Sequence, residues 1–283
     1  MRLSSWNIQW GRGRDGRVDL ARTVAQARRQ RPDILCLQEV AMFHPGLPGG
    51  ADEDQPARLA GFFPGFEYVY GAASDLPDGR GGRRCFGNLI LSRFPLLQVF
   101  RHSLPWPADP AVPSMPRAVL EAVVAAPGGP LRVLTTHLEY YSAIQRAAQV
   151  EALRNLLAEG HGHATAPRSA AETDPPFAVL PRGAAAILCG DFNVAAGSAD
   201  YRRLLDPFGA GVPSMHDAWI AAHPGQPHAP TAGLVAVPWL ARPDCYDFVF
   251  VDASLRGRIR GMDVDAECDA SDHQPVTLEL DDA

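Results

Sequence analysis

The chain has 283 residues, 46% of them hydrophobic, and a formal net charge of −6. That length is enough for one large core, and the acidic balance argues against a broad grip on long nucleic acid, which calls for a basic surplus. All 26 basic residues are arginine, in keeping with a GC-rich coding bias, and the missing lysine rules out Schiff-base chemistry and a P-loop.

From the start, residues 2–8 read as an apolar strand entered almost directly from Met1. Asp19 can cap a helix whose Leu20, Val24 and Ala27 share one face, with Pro32 as its stop. Further strand-like runs are 34–38, 88–92, 119–125, 132–138, 186–190, 246–252 and 276–280, several of them apolar on both faces, as in strands covered on both sides. A second helix starts at Ser142, where Ser142 and Gln145 form a capping box; Ile144, Ala148, Ala152 and Leu156 follow at helical spacing, and Gly160 is expected to end it. A shorter helix fits 199–205. The stretches 43–56, 74–84, 103–116 and 209–240 are rich in Pro and Gly and read as loops, and 160–183 reads as a mobile surface excursion. Without a composition break, 1–283 reads as a single domain. The five cysteines, Cys36, Cys85, Cys189, Cys245 and Cys268, are odd in number and lack CxxC spacing, which argues against a disulfide framework and a zinc cluster. No apolar run approaches a membrane span, so a cytoplasmic setting without stable membrane insertion is expected.

Chemistry-capable residues recur where strands end. Ile187-Leu188-Cys189-Gly190-Asp191-Phe192-Asn193 closes an apolar strand on a carboxylate and an amide two positions apart, suited to hold a water and to stabilise a developing oxyanion. Asp247 opens the strand at 246–252 and is a natural partner for His273 in Ser271-Asp272-His273. Glu39 ends Ile34-Leu35-Cys36-Leu37-Gln38-Glu39, an oxygen donor of the kind Mg²⁺ prefers. Asn7 and His137 stand at matching places after their strands. Sites in open sheets collect at strand ends.

Taken in order, Trp6-Asn7-Ile8, Leu37-Gln38-Glu39, Thr136-His137-Leu138, Gly190-Asp191-Phe192-Asn193, Tyr246-Asp247-Phe248 and Ser271-Asp272-His273 resemble the endonuclease/exonuclease/phosphatase superfamily, typified by DNase I. The resemblance implies a four-layer α/β sandwich, two mixed β-sheets flanked by helices. It implies a Mg²⁺-dependent (or Mn²⁺-dependent) hydrolase of phosphate esters, foremost a phosphodiesterase or nuclease. A sphingomyelinase-like or inositol-phosphate hydrolase is the second choice, and a non-catalytic binding protein on the same fold the alternative of another class. By the same resemblance Glu39, Asn7 and Asp272 hold the metal and Asp191 positions or deprotonates the water. Asn193 contacts the phosphoryl oxygen, His273 with Asp247 stabilises the pentavalent state, and His137 is a candidate acid for the leaving oxygen. Asn88 and Arg117 match phosphate-side positions, and Arg84, with Arg80 and Arg83 in a Gly-Arg loop, is a candidate clamp for a second phosphate. Trp106, Trp219 and Trp239 are candidates to stack on a base or touch lipid. Two departures, Val40-Ala41-Met42 after Gln38-Glu39 and Cys245-Tyr246 before Asp247, weaken a DNA-repair reading.

Overall fold

The computed structural model describes residues 1–166, 178–209, 211–234 and 240–282. Among these, two mixed β-sheets stack face to face. One has the order β12-β13-β1-β2-β5-β4, with β3 paired to β2, and the other β10-β11-β9-β8-β7-β6. The first sheet comprises β1 (Arg2–Asn7), β2 (Ile34–His44), β3 (Ala51–Asp54), β4 (Glu67–Pro77), β5 (Arg83–Ser92), β12 (Ile259–Val264) and β13 (Val276–Leu280). The second comprises β6 (Leu96–Ser103), β7 (Ala118–Ala126), β8 (Gly129–His137), β9 (Ala185–Asp191), β10 (Met215–Asp217) and β11 (Asp247–Asp252). Each sheet has a parallel pair at its centre, β1 with β2 and β8 with β9.

Strand side chains alternate between faces, and the apolar residues divide accordingly. Leu3, Ile34, Cys36, Ile90, Leu120, Val133, Ile187, Cys189, Val249 and Leu278 meet in the core between the sheets. On the outer face of the first sheet, Trp6, Leu35, Leu37 and Leu89 pack with α1 (Leu20–Arg29) and α2 (Gln55–Gly61). On the outer face of the second, Leu134, Leu188, Phe248 and Phe250 pack with α3 (Ala143–Thr165) and α4 (Ala199–Leu205). A short α5 (Ala218–Ala222) contacts β10, β11 and β12. This is the expected four-layer architecture, and it explains why the central strands are apolar on both faces.

The helix starts follow the capping residues: Asp19 accepts from the Arg22 amide and Ser142 from the Gln145 amide. The end of α3 does not follow the expectation. The helix runs through Gly160 to Thr165, so the first residues of the stretch expected to be a surface excursion are helical; residues 167–177, on which the rest of that expectation falls, and Trp239 lie outside the described residues. Gly160 serves close approach instead. A Cβ there would stand 2.0 Å from the Arg132 guanidinium carbon, and that fully buried arginine donates to the carbonyls of Leu156 and Leu157 and to Glu121. The expected loops at 43–56, 74–84 and 209–240 also contain structure: β3, the β4–β5 hairpin, β10 and α5.

Candidate active site

The strand parity that builds the inter-sheet core also builds the site. Asn7 shares the inner face of β1 with Leu3, His137 that of β8 with Val133, Asp191 that of β9 with Ile187 and Cys189, and Asp247 that of β11 with Val249 and Val251. These side chains meet at one end of the seam between the sheets. Gln38 ties the two sheets just behind them, its Nε2 donating 2.8 Å to Thr135 Oγ1 across the gap and 3.1 Å to Ser5 Oγ. Glu39 would face the helix side by parity. A register shift between Leu37 and Val40 in the β2–β5 pairing interrupts the alternation there, and Glu39 adopts φ +57°, the use of a bulge to re-aim a side chain. Gly190, at φ +140°, lets β8 pass: a Cβ on it would lie 1.9 Å from the Thr136 carbonyl oxygen.

At this end a cavity of about 250 Å³ is lined by Gln9, Trp10, Glu39, Arg117, His137, Tyr140, Tyr141, Asp191, Asn193, Asp272 and His273. Asn7 lies behind it, its Nδ2 donating 3.0 Å to Glu39 Oε1 and 3.0 Å to Asp191 Oδ2. Asp191 Oδ2 is 3.6 Å from the Nε2 atoms of both His137 and His273. The other Asp191 oxygen accepts from the Asn193 amide at 3.0 Å. Asn193, at φ +51°, also donates its side-chain amide to Leu138 O at 2.9 Å. His273 Nδ1 is 2.8 Å from Asp247 Oδ2, and the same oxygen accepts from Thr231 Oγ1 at 2.6 Å. The loop carrying Asp272 and His273 is pinned to β1 by Ser271 Oγ on the Asn7 carbonyl and by Trp6 Nε1 on the His273 carbonyl. Gln9 Nε2 donates 2.8 Å to Asp272 Oδ2.

The environments push these groups in different directions. Burial, reinforced by the charge of Asp272, raises Glu39 to about 7. Burial raises Asp191 to about 6, although His273 opposes the shift. Burial works against a charge on His273, but the Asp247 and Asp191 carboxylates outweigh it and hold the ring protonated well above its usual range. Burial and the positive charge of Arg117 push His137 well below its ordinary value.

Arg117 is buried, and its Nε lies 3.3 Å from Glu139 Oε2. Asn88 and Arg84 are not brought to the cavity: Asn88 is buried and donates to the Ala118 carbonyl at 3.0 Å, while Arg84 lies in the β4–β5 hairpin. In that hairpin Arg83 pairs with Asp75 and Arg80 with Asp52. Trp106 and Trp219 do not line the cavity either; their indole N–H groups donate to Ser114 Oγ and the Pro227 carbonyl. Thr231, Glu139, Gln9, Trp10, Tyr140 and Tyr141 went unread in the sequence. Two of them carried a signal: Glu139 and Tyr140 directly follow the His137-Leu138 strand end.

Two donor sets offer themselves to a metal ion. Asp191, Asp247 and His273 have ligand atoms within 4.8 Å of one another, yet the short Asp247–His273 contact and the charge on the ring suit a proton-holding pair better. Glu39, Asp191 and Asp272 put three carboxylates on one small cavity. An oxygen-only set of this kind fits a hard divalent ion.

A sandwich of two mixed sheets with a carboxylate–histidine site at the strand ends defines the DNase I-like class. The profile of the Endonuclease/Exonuclease/phosphatase family matches residues 4–273, and the chain belongs to that family, whose members hydrolyse phosphoesters and generally use divalent metal ions. Among solved structures, the chain is similar to an endonuclease/exonuclease/phosphatase from Beutenbergia cavernae, with 26% identity and a TM-score of 0.67 over 98% of this chain and 70% of that one. It is also similar to a mannosyl-6-phosphatase from Bacteroides thetaiotaomicron, with 18% identity and a TM-score of 0.67 over 99% of both chains. A 3′ phosphatase from Neisseria, bound to a product DNA hairpin, aligns with 20% identity and a TM-score of 0.60 over 99% of both chains. No curated protein sequence matches significantly.

Proposed function

We propose that the chain hydrolyses a phosphate ester by in-line attack of water, with Asp191 as the group that positions and deprotonates it. The observation that carries this reading is the position of Asp191: one carboxylate, fixed by Asn7 and the Asn193 amide, with an imidazole Nε2 3.6 Å away on either hand, from His137 and from His273. A base with a pKa near 6 is well matched to neutral pH. His273, kept cationic by Asp247, and Arg117, held by Glu139, face the cavity as positive groups for phosphoryl oxygens. His137, on the cavity wall beside Asp191, is the candidate donor to the leaving oxygen, the role that the family resemblance implies. Glu39 and Asp272, with Asn7 and Asp191 beside them, would hold a divalent cation; when bound, it offsets charge on a phosphoryl oxygen and lowers the barrier to attack.

The test is hydrolysis of p-nitrophenyl phosphate and bis(p-nitrophenyl) phosphate with Mg²⁺ or Mn²⁺, with and without EDTA. Turnover abolished by EDTA and restored by metal supports the reading. Absence of turnover on both esters at every metal concentration, from a folded protein, favours a binding role on the same fold.

A further inference from the structure

Three aromatic side chains stand at the cavity and take no part in the chemistry above. Trp10 lies just after β1, in a 3-10 turn where it and Gln9 both adopt left-handed backbone, φ +44° and +45°. Non-glycine residues rarely adopt this conformation, and it persists only where surrounding contacts enforce it. Here the indole Nε1 donates 2.9 Å to the Pro48 carbonyl, and Gln55 Nε2 donates 2.8 Å to the Trp10 carbonyl. Tyr140 and Tyr141 line the same cavity, edge to face with ring centroids 4.8 Å apart. Their turn is held by two side chains, one of them braced in turn by Asp200. Glu139 Oε1 accepts from the Tyr141 amide at 2.9 Å, Arg146 Nη1 donates to the carbonyls of Glu139 and Tyr140, and Arg146 Nε pairs with Asp200. Glu139 thus binds the aromatic turn with one oxygen and Arg117 with the other.

Tyr141 is 58% exposed. A large ring exposed to water at the lip of a cavity, on a turn whose backbone is pinned, adds little to the core but offers a contact surface at low entropic cost. The cavity, at about 250 Å³, has room for a phosphate and one ring. Arg117 is the single arginine among the described residues that line it, and in the nearby hairpin Arg80 and Arg83 are paired with Asp52 and Asp75. A backbone-tracking nuclease instead needs a row of cations along successive phosphates.

We infer that Trp10, Tyr140 and Tyr141 form a ring-binding rim that selects a terminal phosphate monoester whose leaving group carries a planar or flat-faced ring, with Tyr141 the principal determinant. The inference rests on the proposed phosphoester hydrolysis and assigns its substrate class. Two sources share the chemistry, a nucleoside 5′-monophosphate and a hexose 6-phosphate: a base stacks on an aromatic face and a sugar presents its C–H face to one.

The test compares kcat/KM for adenosine 5′-monophosphate, glucose 6-phosphate and the acyclic glycerol 3-phosphate, using the full chain with Mn²⁺, and adds a single-stranded oligonucleotide with internal diesters only. At least one ring-bearing monoester should exceed glycerol phosphate by tenfold or more, and the oligonucleotide should be the poorer substrate. Which ring is favoured identifies the source. In Tyr141→Ala the ratio of ring-bearing to acyclic kcat/KM should fall at least fivefold, mostly through KM, and Tyr141→Phe should restore it. Equal rates on all three monoesters, an unchanged ratio in Tyr141→Ala, or preference for the oligonucleotide overturns the ring-binding rim while leaving phosphoester hydrolysis standing. Inactivity on every ester overturns the hydrolase reading itself.

Discussion

Single residues at the site are held in conditions that only a reaction or a ligand justifies. Asp191 accepts from Asn7 and the Asn193 amide and still lies close to both histidines. Replacing it with Asn keeps the shape but removes the base, and His273→Ala removes the cation. Each should lower kcat by roughly a hundredfold or more with an unchanged circular dichroism spectrum; near-normal turnover in both would exclude the mechanism. Glu39 leads to a different measurement. Its pKa of about 7 in the metal-free fold lies above the ordinary 4.5, so the folded state binds this proton more tightly than the unfolded chain does. Stability of the metal-free protein therefore declines as pH rises from about 4.5 to 7, and Glu39→Gln should raise Tm at pH 8, by the equivalent of roughly 1–3 kcal/mol. A metal ion competes with the same proton, so Mg²⁺ or Mn²⁺ affinity measured by calorimetry should weaken by up to about tenfold per pH unit below 7. Affinity that is flat between pH 5.5 and 8 would remove Glu39 from the ligand set.

At the scale of elements, two glycines act through what they leave room for. Gly190→Ala forces a Cβ onto the Thr136 carbonyl at a φ that L-residues rarely adopt, and a loss of about 3 kcal/mol or more is expected in urea unfolding. Gly160→Ala tests the sign of a simple rule. Helix propensity favours alanine by about 1 kcal/mol, but the buried Arg132 guanidinium occupies that space, and destabilisation is expected instead. The same elements show what a sequence reveals. All eight strands read from apolar runs are present, because central strands buried on both faces leave uninterrupted Val, Ile and Leu. β3, β4, β6, β10 and β12 escaped because they are short, or flank the sheets with half-exposed, mixed sequences such as Glu67–Pro77 and Leu96–Ser103. Strand-end residues such as Asp191 and Asn7 were legible for the same reason that the central strands were. Tyr141, Thr231 and Glu139 belong to turns whose partners are remote in sequence, and Gly160 looked like a helix stop because nothing local announces Arg132.

For the whole molecule, charge sets the scale of substrate attraction. With a net charge of −6 and two of the hairpin arginines, Arg80 and Arg83, paired with acids, long-range steering of a polyanion is weak. kcat/KM for a small phosphate ester should therefore change by no more than a few-fold between 50 and 200 mM salt, where a protein contacting many phosphates would lose about 10³ or more in affinity. A steep decline would reveal a basic track along the surface.

The bond from Gln38 to Thr135 spans the gap between the sheets directly behind the reacting groups. Asn7, Gln38 and Glu39 come from one sheet and His137, Asp191 and Asp247 from the other, so the reaction centre has the thickness of the seam as one of its dimensions. Sheets separated by about 10 Å keep that distance through the side chains packed between them. A methyl group removed from Ile187 or Ile90, well away from any substrate, changes a distance the chemistry depends on. The core here is a spacer as much as a source of stability, and such variants would be expected to slow before they melt.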